Sequence, residues 1–119
     1  MLKKLFGFHD IEVSGQMKVS TLMKDFEESF GTKIKVYKLS SDGKINTGKG
    51  AKPADPKATL ASCSPSHVKV SNIVIRKGYT VDAIEKEFAN KMGVGVQIMT
   101  PDGKSLAPNE MTLKEVASL

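Results

Sequence analysis

Cys63 and His67, in Ala61-Ser62-Cys63-Ser64-Pro65-Ser66-His67, bring a thiol and an imidazole close together in the sequence. Nucleophilic catalysis needs that pair in hydrogen-bond contact, with a third group orienting the ring. Closeness in sequence supplies neither, and Ser64-Pro65-Ser66 reads as a surface turn beside a half-buried thiol. Gly43-Lys44-Ile45-Asn46-Thr47-Gly48-Lys49-Gly50 satisfies the spacing of a phosphate-binding loop, but Gly50 stands where magnesium needs Ser or Thr. Pro53 and Pro56 discourage the helix whose N-terminus would hold the phosphate. Metal binding fails on ligand count: Cys63 is the only cysteine, and the two histidines, His9 and His67, are far apart. No catalytic residue, metal ligand or cofactor is therefore expected.

The charge pattern is more informative. Of the 18 basic and 13 acidic residues, the stretch from Lys33 to Lys57 holds Lys33, Lys35, Lys38, Lys44, Lys49, Lys52 and Lys57 against only Asp42 and Asp55. Residues 1–62 carry 11 Lys and 7 acids; residues 63–119 carry 7 Lys or Arg and 6 acids. Such a concentration suits an acidic protein partner, and the seven lysines are the candidate contact residues. Nucleic acid is the alternative partner, since phosphate contacts need only cations. Against sequence-specific recognition stand a single arginine, Arg76, and two tyrosines, Tyr37 and Tyr79. Guanine readout favours arginine, and single-stranded bases need aromatic platforms.

The elements that must position these residues come in two copies. Shifted by 62, Ile11-Glu12-Val13 falls on Ile73-Val74-Ile75, and Val19, Leu22, Phe26 and Gly31 fall on Val81, Ile84, Phe88 and Gly93. Ile34-Lys35-Val36 falls on Val96-Gln97-Ile98. Asp42-Gly43-Lys44 meets Asp102-Gly103-Lys104 at a shift of 60, and Thr59-Leu60 meets Thr112-Leu113 at 53, because the first loop is seven residues longer. Within each copy the β-branched segments Ile11–Val13 and Val68–Ile75 read as strands. Val19, Leu22, Met23, Phe26 and Phe30 follow helical spacing, as do Val81, Ile84, Phe88 and Met92. Ser20 or Thr21, and Thr80, are candidate N-caps; Gly31 and Gly93 stand where helices end left-handed. Strands Lys33–Lys38 and Val94–Met99 follow, ended by Asp-Gly turns.

The expected fold is therefore α+β: a single domain, residues 1–119, of two pseudo-symmetric repeats at about 8–62 and 68–119. Its βαβ units would share one sheet with both helices on one face, ferredoxin-like or as two fused β-grasp-like units. The segment from Thr80-Val81-Asp82 through Asp102-Gly103-Lys104-Ser105-Leu106 to Met111-Thr112-Leu113 resembles ubiquitin-like (β-grasp) domains. The chain ends Ala117-Ser118-Leu119 rather than in di-glycine, so the resemblance does not extend to conjugation. The duplicated pattern, with its later Ala54-Asp55-Pro56-Lys57-Ala58-Thr59-Leu60, also resembles small uncharacterised bacterial proteins, which implies a bacterial origin and brings no catalytic residue.

Apolar residues at 39% and charged residues at 26% are those of a globular domain. Met1–Phe8 is too short in apolar residues for a signal-peptide core, no membrane-length run exists, and one cysteine suits a reducing compartment. These features lead to a cytoplasmic, non-enzymatic binding protein of inhibitor, immunity or adaptor type. No membrane and no small-molecule substrate enter that reading.

Overall fold

Alternation of small β-branched residues with polar ones makes short strands, and the Val19–Phe30 and Val81–Met92 stripes make helices to cover them. The computed structural model describes residues 8–119, so the reading of Met1–Gly7 lies outside the described residues. In chain order the elements are β1 (Ile11–Val13), α1 (Val19–Phe30), β2 (Lys33–Tyr37), a 3₁₀ turn (Ala61–Cys63) and β3 (Ile73–Ile75). Then follow α2 (Val81–Glu87), a π-helical turn (Phe88–Met92), β4 (Gly95–Met99) and α3 (Leu113–Val116).

The strands form two separate two-stranded antiparallel sheets, β1 with β3 and β2 with β4. This corrects the expectation of one sheet shared by both repeats, whether ferredoxin-like or β-grasp-like. The reason lies at the strand edges. The Ala54 amide donates to the Val36 carbonyl and the Lys38 amide to Lys52, at 2.9 and 3.0 Å, which occupies the outer edge of β2. The Ala107 amide donates to Ile98 and the Thr100 amide to Ser105, both at 2.9 Å, which does the same for β4. With those edges taken, neither strand can extend into the β1–β3 pair. The strand expected over Val68–Ile75 is only its last three residues, and Val68–Asn72 is irregular.

Each strand pairs with its own counterpart at the offset of 62. Glu12 faces Val74 at the centre of one sheet, and Lys35 faces Gln97 at the centre of the other. Bridges recur likewise: Lys18 with Thr59 and Thr80 with Thr112; Tyr37 with Pro53 and Met99 with Leu106. Val13, Ile34, Val36, Ile73, Ile75, Val96 and Ile98 turn inward to meet Leu22, Phe26, Phe30, Ile84, Phe88 and Met92 in one continuous core. Phe26 and Phe30 lie with ring centroids 5.2 Å apart, tilted against each other. Leu60, Leu113 and Val116 close the ends of this core. Met23, expected in the helix core, is 39% exposed instead, because the stripe is complete without it.

Gly31 and Gly93 end the two helical segments with φ of 71° and 69°, as the sequence predicts. Thr80 caps α2, its hydroxyl accepting from the Ala83 amide at 3.2 Å. The start of α1 departs from expectation: the N-cap is Lys18, without a side-chain bond, and neither Ser20 nor Thr21 caps. The Val19 and Ser20 amides donate to the carbonyls of Ala58 and Pro56 instead, at 2.9 and 3.0 Å. The returning segment thus satisfies the amides of the first two helical positions.

Candidate functional site

The seven lysines do not form one patch. Lys33, at the start of β2, is half-buried; its ammonium pairs with Glu27 at 2.8 Å while its stem lies against Gly103. Lys35 is exposed at the middle of β2, opposite Gln97. Beside it Tyr37 donates its hydroxyl to Gln97 Oε1 at 2.8 Å, and burial, with the nearby Glu85 carboxylate, pushes the phenol above its ordinary pKa. Lys38, Lys44, Lys49, Lys52 and Lys57 are exposed along the segment that leaves β2 and returns to α1. Among the described residues, none of these five has a carboxylate within ion-pair distance.

That segment is held by a series of turns. The Ser40 amide donates to the Lys44 carbonyl at 2.9 Å, and the Ser40 hydroxyl donates to Asp42. The Lys44 amide donates to the same carboxylate at 3.1 Å. The serine hydroxyl first, and that amide second, hold Asp42 below the usual carboxylate range. Asn46 Oδ1 accepts from the Gly48 amide at 3.1 Å, and the Ala51 amide donates to Gly48 at 3.0 Å. Ile45 and Thr47 fold down onto Gly95, where a Cβ would come within 2.8 Å of both side chains. Gly95 is glycine because this loop crosses its strand.

The cluster that the fold does assemble is smaller than the one read from sequence. Lys38 and Lys52 face each other across the bridge that Tyr37 and Pro53 make. With Leu39, Ser40, Ser41, Asn46 and Gly50 they line an open depression of about 550 Å³. Linear charge density could find the lysines, but their pairing follows from the bridge between Tyr37 and Pro53, sixteen residues apart, which no local pattern announces. The phosphate-loop spacing contributes only Asn46 and Gly50 to the lining; Lys49 lies outside it and no helix follows.

Cys63 is buried in the 3₁₀ turn and its thiol donates to the Thr59 carbonyl at 3.6 Å. Burial pushes that thiol up, away from the thiolate that nucleophilic chemistry needs. His67 is exposed four residues on. Among the described residues no three of His, Cys, Asp and Glu gather in a metal-binding group, and no helix is long and apolar enough to cross a membrane. Met99 is buried, while Met17 and Met111 pack partly buried against the core.

The other half supplies an internal comparison. Asp102 is held by Thr100 and by the Lys104 amide as Asp42 is by Ser40 and the Lys44 amide. Counted from the bridges, however, Lys38 and Lys52 correspond to Thr100 and Ser105, and Lys57 to Glu110; the second turn is two residues shorter, so Thr100 also takes the part of Ser40. The seven extra residues, which include Lys49, are absent from the second half. No family model, curated protein or solved structure matches this chain.

Proposed function

We propose that this chain is a non-enzymatic binding protein of the bacterial cytoplasm, which docks an acidic protein through the Lys38–Lys57 segment and the adjoining Lys33 and Lys35. An inhibitor, immunity or adaptor role fits this design. One observation carries the reading. The same turn and bridge form in the second half with Thr100, Ser105 and Glu110 in place of Lys38, Lys52 and Lys57, so the frame does not require those three lysines. Uncompensated positive charge that folding does not need is charge available to a partner. The longer first loop adds to this, since long ordered loops in small domains more often serve binding than scaffold.

The experiment is recovery of partners from native lysate on immobilised protein, followed by elution in rising salt. An acidic protein retained by wild type, and lost when Lys49, Lys52 and Lys57 become Glu, supports the reading. Reversal of Lys69, Lys77 and Lys104 should leave recovery intact. Retention of DNA or RNA in place of protein, with a steep salt dependence, would favour the nucleic-acid alternative.

A further inference from the structure

Lys38 and Lys52 are like charges set directly opposite each other on paired backbone segments. Their amide–carbonyl bond is 3.0 Å long, and side chains opposed in this way sit close on one face. The arrangement disfavours folding, and no acid relieves it within ion-pair distance among the described residues. The corresponding pair, Thr100 and Ser105, is neutral, so the frame closes without the repulsion. The depression beside the two lysines presents further donors. Ser41 adds a hydroxyl, and Asn46 turns its carbonyl to Gly48, leaving its amide hydrogens available. The acidic neighbour, Asp42, is engaged by the Ser40 hydroxyl and the Lys44 amide.

We infer that this depression is a seat for a phosphoryl dianion, held between the Lys38 and Lys52 ammonium groups with Ser41 and Asn46 donating to its remaining oxygens. Two opposed cations balance the charge of about −1.5 to −2 that a phosphate monoester carries at neutral pH, whereas a carboxylate leaves one cation uncompensated. The seat is distinct from general attraction to an acidic surface and holds or fails independently of it.

The test is a titration of isotope-labelled protein with inorganic phosphate at constant ionic strength, followed by amide chemical shifts. Saturable shifts confined to Lys38–Ser41, Asn46–Gly50 and Lys52 are expected, with a rise in the thermal midpoint. Both should disappear in Lys38→Thr with Lys52→Ser, the residues that the second half already uses in this frame. Both should persist in Lys57→Glu, which lies outside the depression. Acetate should produce neither. A glycine-flanked phosphoserine peptide that binds more tightly than inorganic phosphate assigns the seat to a phosphorylated protein; the reverse order assigns it to a free anion. Shifts spread evenly over all lysines, an equal response to acetate, or a response that survives the double substitution overturns the inference. None of these outcomes depends on whether an acidic protein is recovered from lysate.

Discussion

Single residues in this fold are distinguished by what stands against them. Gly31 and Gly93 share a left-handed backbone, but among the described residues a Cβ at Gly31 meets only Ala117 at 3.6 Å, whereas at Gly93 it meets Ser64 Oγ at 2.6 Å and Pro65 Cδ at 3.0 Å. Gly31→Ala should cost about 1–2 kcal/mol from conformation alone. Gly93→Ala should cost roughly 1–3 kcal/mol more, because the 64–68 segment must be displaced. Denaturant midpoints of the two variants check the order. Both glycines were legible in the sequence as helix ends; the crowding at only one of them was not, since it comes from the long connection between the halves. Glu85 makes a second residue-scale prediction. Its carboxylate accepts from the Ile98 amide at 3.2 Å, and burial raises its pKa. A raised pKa in the folded state means that the ionised form weakens the fold: the contribution is full below the ordinary glutamate value of about 4.3 and is lost as pH rises through the folded value. Glu85→Gln, which can still accept from Ile98, should therefore melt higher than wild type at pH 7. The two should converge below about pH 4.

At the scale of elements, α1 and α2 solve the same problem with different residues. The amides at their first two positions go to carbonyls of a returning segment, Ala58 and Pro56 for α1, Met111 and Asn109 for α2. Only α2 adds a side-chain cap, from Thr80. Lys18, with φ −75° and ψ 151°, already has the backbone of a cap without its oxygen. Lys18→Thr should thus stabilise the protein by about 1 kcal/mol, measured by chemical denaturation. A sequence reading places the cap at Ser20 or Thr21 because those side chains suit the role. It fails because the helix already begins at Val19, whose amide the Ala58 carbonyl accepts, so Ser20 and Thr21 lie inside its first turn. The helices, the glycine ends and the Asp-Gly turns are legible because local spacing encodes them. The strand pairing is not, because it depends on which edges Lys52–Ala54 and Ser105–Ala107 occupy. The candidate site divides in the same way: the lysines are read directly, and their facing pair is not.

Across the whole molecule, the described strands pair with one another only between the halves, β1 with β3 and β2 with β4. Residues 1–66 or 67–119 alone should therefore show little cooperative unfolding by circular dichroism, and mixing the two should restore it. That interdependence leaves one frame with two faces, closely alike in hydrogen bonding and unlike in charge. The central claim is that the lysines of the first face serve a partner and not the fold. Its most direct measurement combines thermal melting with binding kinetics at low salt for one variant, Lys38→Thr, Lys52→Ser and Lys57→Glu, which writes the second half's residues into the first. The account predicts a midpoint equal to or above that of wild type, and association with the acidic partner slowed about tenfold or more. A folded variant that associates as fast as wild type, or one that no longer folds, would contradict it.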